Sequence, residues 1–136
     1  MRNAALILLL TVAMGCTELA SNRSAPTEWQ RIMGNETVIT YIDSATIRRS
    51  GDIVKMWLLL DRKTAGVSHG KAYLSQKSQE EFDCREERNR TLYLTLHSGN
   101  MGADEVVYKN PDPEKWMPIP PQSVIEILWK VACGLL

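Results

Sequence analysis

The chain has 136 residues, of which 44% are hydrophobic, and its 16 basic residues balance its 16 acidic residues. This length and composition predict one globular domain with a core large enough to fold without a metal. The balanced charge argues against nucleic acid as a partner, because nucleic-acid binding requires a concentrated basic surface.

Residues 1–15 predict a lipoprotein signal peptide. Arg2 supplies the positive charge at its start, and residues 4–14 form an apolar run. That run is too short to span a membrane, which takes about 20 residues. It ends in AMGC at residues 13–16, which resembles a bacterial lipobox although Ala13 and Met14 are not the commonest residues at their positions. We therefore predict that Cys16 carries lipid, including palmitate, and anchors the protein in the outer membrane.

An ordinary secretory signal is the alternative for this leader. Cleavage near Gly15 would then leave Cys16 as a free thiol. Cleavage further along the chain is disfavoured, because Glu18 and Arg23 stand where a small residue is required. Under either alternative, residues 16–28 are polar and contain proline, which predicts a flexible tether that precedes a domain at residues 29–136.

The cysteine count bears on the same question. Three cysteines in an exported chain leave one without a partner. If Cys16 carries lipid, Cys84 and Cys133 remain to form one disulfide in an oxidising compartment. The alternative is two buried free thiols.

Residues 37–109 predict six strands joined by short turns. In chain order these are residues 37–42, 45–49, 53–61, 72–84, 91–98 and 105–109. A break is expected at Asp43-Ser44, a hairpin turn at Gly51 and a second turn at residues 64–70. Residues 72–84 also have helical propensity, but they lack an apolar stripe, so a long and bent strand is favoured.

The strand at residues 53–61 has two different faces. One face is wholly apolar and predicts burial: Val54, Met56, Leu58 and Leu60. The opposite face is mixed: Ile53, Lys55, Trp57, Leu59 and Asp61. We expect a central strand with one buried face and one partly buried face.

Residues 123–133 predict a C-terminal helix that follows an extended run at residues 116–121. Ser123 and Glu126 have the spacing of a capping box, and Glu126 and Lys130 are placed for an i,i+4 ion pair. The other positions form a wide apolar face that must be covered. The predicted fold class is therefore α+β: a single antiparallel meander of about six strands with a C-terminal helix packed on one face and tied by the disulfide.

The order of these landmarks resembles the protein E-like surface adhesins of Gram-negative bacteria. The matching segments are YID at residues 41–43, IRRSGD at 47–52, VKMW at 54–57, Ser75, DC at 83–84, WMPI at 116–119 and the stretch from Ser123 to Cys133. The resemblance implies an antiparallel sheet with a disulfide-held helix, in a lipid-anchored and dimeric surface protein. It also implies binding of host extracellular proteins, as some members of the family do.

Catalytic motifs are lacking. Neither His69 nor His97 has metal ligands or a nucleophile at a suitable spacing, and both are expected to be exposed. A Cys84–His97 pair would lose its thiolate to the disulfide. The sequence has no Gly-rich phosphate loop, no CxxC and no GxSxG. We expect neither an enzyme nor a cofactor.

Two groups of residues are candidates for a partner surface. Lys55, Trp57 and Leu59 share the mixed strand face. Arg85, Arg88 and Arg90 cluster at a turn and are suited to an acidic protein stretch or a glycan; replacing all three is expected to leave the fold intact. The simpler alternatives are a charged strand edge guarded against aggregation and tryptophans that pack in the core, where Trp29 and Trp116 would close its two ends. Two functions remain open: an adhesin-like binder of host or extracellular macromolecules, or a periplasm-facing lipoprotein with a structural or inhibitory role.

Overall fold

The structure is a computed structural model, and it describes residues 28–136. The predicted signal peptide, Cys16 and all but the last residue of the predicted tether lie outside this range. The strands and the helix, in chain order, are β1 (Trp29–Gly34), β2 (Val38–Ser50), β3 (Ile53–Ser68), β4 (Lys71–Asp83), β5 (Arg88–His97), β6 (Val106–Asn110), β7 (Met117–Pro118) and α1 (Val124–Ala132). A short 3-10 turn at Asn100–Gly102 separates β5 from β6.

The strands form one antiparallel sheet in which β1 to β6 are neighbours in chain order. This confirms the predicted meander. β7 pairs with β5 at Arg88 and Asn89, beside the stretch of β5 that pairs with β6. The predicted strands at residues 37–42 and 45–49 form one strand, β2, so the six predicted strands correspond to five in the structure. The two strands that were not predicted are β1 and the two-residue β7. Both are short edge strands, and neither has a long alternating pattern.

Irregularities in the ladders replace two of the predicted breaks. β2 runs through Asp43-Ser44 without ending, and its register against β3 shifts between Asp43 and Arg48. β3 runs on to Ser68, so the predicted turn at residues 64–70 shrinks to His69-Gly70. Bulges of this kind absorb extra residues while the strand continues, so turn-forming residues do not always end a strand. The long, bent strand predicted over residues 72–84 is confirmed as β4.

The core lies between the helix and one face of the sheet, which we call the helix face. Its buried apolar residues come from three strands, from α1 and from the residue after α1: Ile42, Val54, Met56, Leu58, Phe82, Leu128, Trp129, Ala132 and Cys133. Leu60, also predicted to be buried here, is only half-buried. The disulfide between Cys84 and Cys133 closes this layer, with Cα atoms 5.7 Å apart. The predicted pairing of the helix with the sheet is confirmed.

The start of α1 differs in one detail from the predicted capping box. The Ser123 hydroxyl accepts a hydrogen bond from the Glu126 backbone N–H at 3.2 Å, as expected. The Glu126 carboxylate, however, accepts from the backbone N–H of Gln122, one residue before the cap. Its other oxygen pairs with Lys130 at 2.9 Å, which confirms the i,i+4 ion pair. The helix therefore has the N-cap and the ion pair that the sequence predicts.

Candidate functional site

The sheet face opposite α1, which we call the second face, carries the candidate site. Directly opposed residues on neighbouring strands point to the same side, so the strand register defines rows across this face. One row is aromatic and polar: Trp29, Asp43, Trp57, Gln79 and Tyr93. The next row is charged: Arg48, Lys55, Glu81 and Arg90. It ends at Trp116, the residue before β7, whose indole stacks on Arg90.

The irregularity in β2 shapes the aromatic row. Thr46 lies within it, and its hydroxyl donates to the Asp43 carbonyl at 2.6 Å while accepting from the Trp57 backbone N–H at 3.2 Å. The Asp43 carboxylate accepts from the Ala45 backbone N–H at 3.1 Å. These bonds hold Asp43 and Thr46 beside Trp57. The polar residues that predicted a break in the strand instead build a fixed recess in the sheet surface.

This recess, the tryptophan cleft, has a volume of about 250 Å³ and is lined by Trp29, Asp43, Thr46, Trp57 and Lys77. Trp57 also meets Tyr93 edge-to-face, with ring centroids 5.9 Å apart. Such pairs hold both rings in place. Sequence reasoning selected Trp57 for this surface but placed Trp29 at an end of the core. Only the pairing of Trp29 with Asp43 across β1 and β2 brings the two indoles together.

A second recess, the basic cleft, adjoins the first along β3. It has a volume of about 390 Å³ and is lined by Arg48, Arg49, Ser50, Ile53, Lys55 and Glu81. Lys55 and Trp57 are two residues apart on one strand, so their Cα atoms are about 7 Å apart. Among the described residues, Arg48, Arg49 and Lys55 form no ion pair. Their charge is available to a ligand.

The three predicted arginines have different roles. Arg88 and Arg90 pair with the buried carboxylates of Asp83, at 3.0 Å, and Glu81, at 2.7 Å. Arg85 instead lies exposed in the turn between β4 and β5. The expectation that all three can be replaced without harm to the fold is therefore wrong for Arg88 and Arg90, because their loss leaves buried carboxylates without a partner.

Both paired arginines also stack on one indole. Their guanidinium carbons lie 4.7 Å and 4.6 Å from the ring centroid of Trp116, so this side chain is held on the second face by cation–π contacts. Trp116 therefore fastens the extended segment before α1 to β5. Sequence reasoning placed it at an end of the core instead.

Leu59 and His97 are buried, contrary to expectation. Leu59 has 0% of its surface exposed, so it is not part of the accessible second face. The turn after β5 folds back over this region, where the Ser75 hydroxyl donates to the Gly99 carbonyl and accepts from the Gly102 backbone N–H at 2.8 Å. Burial lowers the pKa of His97, and the charge of Lys77 lowers it further.

The accessible charge of the second face is positive. Asp43, Glu81 and Asp83 are buried, with 5%, 7% and 4% of their surface exposed. Asp61, at the far end of β3, is half-buried and accepts hydrogen bonds from Asn100 and Met101. Arg48 and Lys55 are exposed. Because solvent-exposed charges dominate the potential that a large partner meets, this face is cationic although the whole chain is neutral. The surface combines fixed aromatic rings with free cations.

The predicted disulfide removes the thiolate of Cys84. Within residues 28–136, no group of three His, Cys, Asp or Glu side chains is placed to hold a metal ion. The same residues include no helix with the length and apolar character of a membrane span.

The fold is that of a small α+β domain in which a disulfide holds one helix on an antiparallel meander. The family model of surface-adhesin protein E matches residues 29–134, and the chain therefore belongs to this family. An adhesin-like surface protein is the class that this membership defines. No curated protein sequence matches the chain.

Solved structures of protein E from Haemophilus influenzae have the same fold. Crystal form II is 14% identical over 82% of this chain and 94% of that one, with a TM-score of 0.63. A second structure of the same protein is 15% identical over 82% of this chain and 91% of that one, with a TM-score of 0.60. A structure from a non-typeable strain is 17% identical over 82% of this chain and 81% of that one, with a TM-score of 0.55. These identities establish a shared architecture alone.

Proposed function

We propose that this protein is a non-catalytic, lipid-anchored adhesin that binds extracellular macromolecules through its second face. The observation that carries the proposal is the composition of that face: fixed tryptophans beside cations that have no partner within the described residues. Aromatic residues and arginine are enriched at protein interfaces, where they contribute a large share of the binding energy. Family membership supports an adhesin-like role.

The difference between the two faces of the sheet also supports a binding role for the second face. The helix face is closed by α1 and the disulfide, so it contributes stability. Within residues 28–136 no α-helix covers the second face, on which Trp57 is half-buried and Lys55 is exposed. A sheet face that served only as a solvated surface would not need two indoles around a recess.

The location is part of the same proposal. Cys16, acylated at the mature N-terminus, anchors the protein in the outer membrane, and residues 16–28 extend the domain away from the lipid. A surface location fits an adhesin that must meet extracellular partners. The protein acts as a monomer or as a homodimer, with the second face as the ligand-binding side in either case.

Labelling of intact cells tests the location and the binding together. An antibody against residues 28–136 is expected to stain intact cells, and mass spectrometry is expected to find an acylated Cys16. Cells that display the protein are expected to adhere to a reconstituted extracellular matrix layer better than cells that lack it. A domain reached by the antibody only after the outer membrane is opened would contradict the proposal.

A further inference from the structure

We infer that the ligand of the second face is an acidic glycan. One sugar ring occupies the tryptophan cleft, and a carboxylate or sulfate of the neighbouring sugar occupies the basic cleft. This inference rests on the proposed function and specifies the chemistry of the partner. It follows from four observations on the two clefts.

The size of the tryptophan cleft favours one unit of a polymer. Its volume of about 250 Å³ lies below the range of about 300–1,000 Å³ that holds a whole small molecule. The lining of the basic cleft begins two residues away on β3, at Lys55. We therefore infer that one ring of the ligand fills the tryptophan cleft and that a second, linked ring reaches the basic cleft. A chain of linked rings meets this requirement.

The lining of the cleft matches a pyranose ring. Trp29 and Trp57 offer apolar ring faces for the C–H face of a sugar. Asp43 offers carboxylate oxygens, which accept hydrogen bonds from sugar hydroxyls. The same lining contains Lys77, so Asp43 and Lys77 balance each other in charge within this cleft. The recess therefore takes the neutral, hydroxyl-bearing part of the ligand.

The basic cleft takes the charged part. Arg48 and Lys55 bring two cations to one recess, and the single carboxylate in it, Glu81, is already paired with Arg90. A guanidinium matches the planar oxygens of a carboxylate or the oxygens of a sulfate. Lys55 and Trp57 are neighbours on the same face of β3, so one chain-like ligand can contact both clefts.

A sheet face favours a glycan over an acidic peptide. Extended peptides commonly bind to the edge of a sheet, where unpaired N–H and C=O groups extend the ladder. Lys55 and Trp57 lie on β3, whose backbone is paired with β2 on one side and β4 on the other. The second face thus offers side chains only, and a ligand rich in hydroxyl and anionic groups meets that requirement better than a peptide backbone does.

Titration of the purified protein with a heparin octasaccharide tests the inference, because this probe carries carboxylates and sulfates on pyranose rings. A neutral cello-oligosaccharide and poly-L-glutamate serve as comparison ligands. We expect the heparin probe to bind and to change tryptophan fluorescence, with weaker affinity at high salt. Trp57→Ala is expected to weaken binding about tenfold or more.

Charge variants test the basic cleft without risk to the core. Lys55→Glu and Arg48→Glu change exposed side chains, and each is expected to weaken heparin binding about tenfold. Lys71→Glu makes the same charge change at the far end of β4 and is expected to leave binding unchanged. Unfolding curves of every variant check the fold.

Three outcomes would overturn the inference: no binding of heparin by the wild-type protein, binding of poly-L-glutamate as tight as that of heparin, or a loss of heparin binding in Lys71→Glu as large as that in Lys55→Glu. If one of these outcomes occurs while the protein still supports adherence to an extracellular matrix layer, the glycan inference fails and the proposed function stands. If cells that display the protein also fail to adhere, both the glycan inference and the proposed function fail.

Discussion

The indole N–H of Trp129 donates a hydrogen bond of 3.1 Å to the backbone carbonyl of Asp83, 46 residues earlier in the chain. The disulfide joins the next residue, Cys84, to Cys133, which lies one turn after Trp129. A hydrogen bond and a covalent bond thus connect the same two segments. Together they fix the helix on the sheet and leave the second face free.

Removal of the disulfide is expected to destabilise the domain strongly. The bond closes a loop of 49 residues, and the chain-entropy model assigns about 4 kcal/mol to a loop of this size. We expect the Cys84→Ser, Cys133→Ser double variant to lose about 2–5 kcal/mol of unfolding free energy. Urea unfolding of the variant and of the oxidised wild type measures the difference. Equal urea midpoints would show that the bond is not needed to hold the helix.

The Trp129 hydrogen bond can be tested separately. Trp129→Phe removes the N–H donor and leaves the Asp83 carbonyl buried without this partner, which costs about 1–3 kcal/mol. Trp57→Phe is the control, because its indole lies on the second face rather than against the helix. Thermal unfolding is expected to show a larger loss for Trp129→Phe than for the control. A larger loss for Trp57→Phe would mean that the helix contact is minor.

Serine variants of Arg90 and Arg85 test whether the ion pairs of the second face stabilise the domain. Arg90→Ser leaves the carboxylate of Glu81 nearly buried and unpaired, and we expect a loss of about 1–3 kcal/mol because the arginine itself is partly exposed. Arg85→Ser, at a fully solvated position five residues earlier, is expected to change stability by no more than about 0.5 kcal/mol. Urea unfolding compares the two. Similar losses would argue against a structural role for the Arg90–Glu81 pair.

Glu80 gives the domain a defined pH dependence. Burial on the helix face raises the pKa of Glu80, opposed by hydrogen bonds from Ser78, Thr91 and Asn89. In the folded chain the Glu80 carboxyl therefore stays protonated at pH values above 4.5, where it is already ionised in the unfolded chain. The unfolding free energy consequently falls as the pH rises from 4.5 through the pKa of the folded chain. Glu80→Gln removes this dependence.

The variant is expected to gain stability relative to the wild type as pH rises from about 4 to about 7. Thermal unfolding across this interval measures the gain. Parallel stability curves for the two proteins would show that Glu80 ionises equally in the folded and unfolded chains.

The helix and the central strands were predictable because their signals are local. Ser123, Glu126 and Lys130 mark the helix within two turns, and alternation in β3 separates Val54 from Lys55 by a simple period of two. The disulfide followed from a count of three cysteines and an expected lipid on one of them. None of these inferences depends on which strand lies beside which.

The clefts could not be predicted, because they are formed by contacts between residues far apart in the sequence. Trp29 reaches Trp57 only through the register of β1 on β2, and the irregularity after Asp43 continues a strand that local residue types would end. Leu59 and His97 are buried because a turn some 40 residues after Leu59 folds back over them. Such burial is a property of tertiary packing rather than of the strand pattern.

The proposal that the second face binds an extracellular partner is tested most directly by adherence of displayed variants. Cells that present the wild-type protein, the Lys55→Glu, Trp57→Ala double variant, or a Val124→Glu variant of the helix are allowed to settle on a reconstituted extracellular matrix layer, and adherent cells are counted. Equal surface display is verified with an antibody. Loss of adherence in the double variant, with adherence retained by Val124→Glu, is the predicted result. Full adherence by the double variant would contradict it.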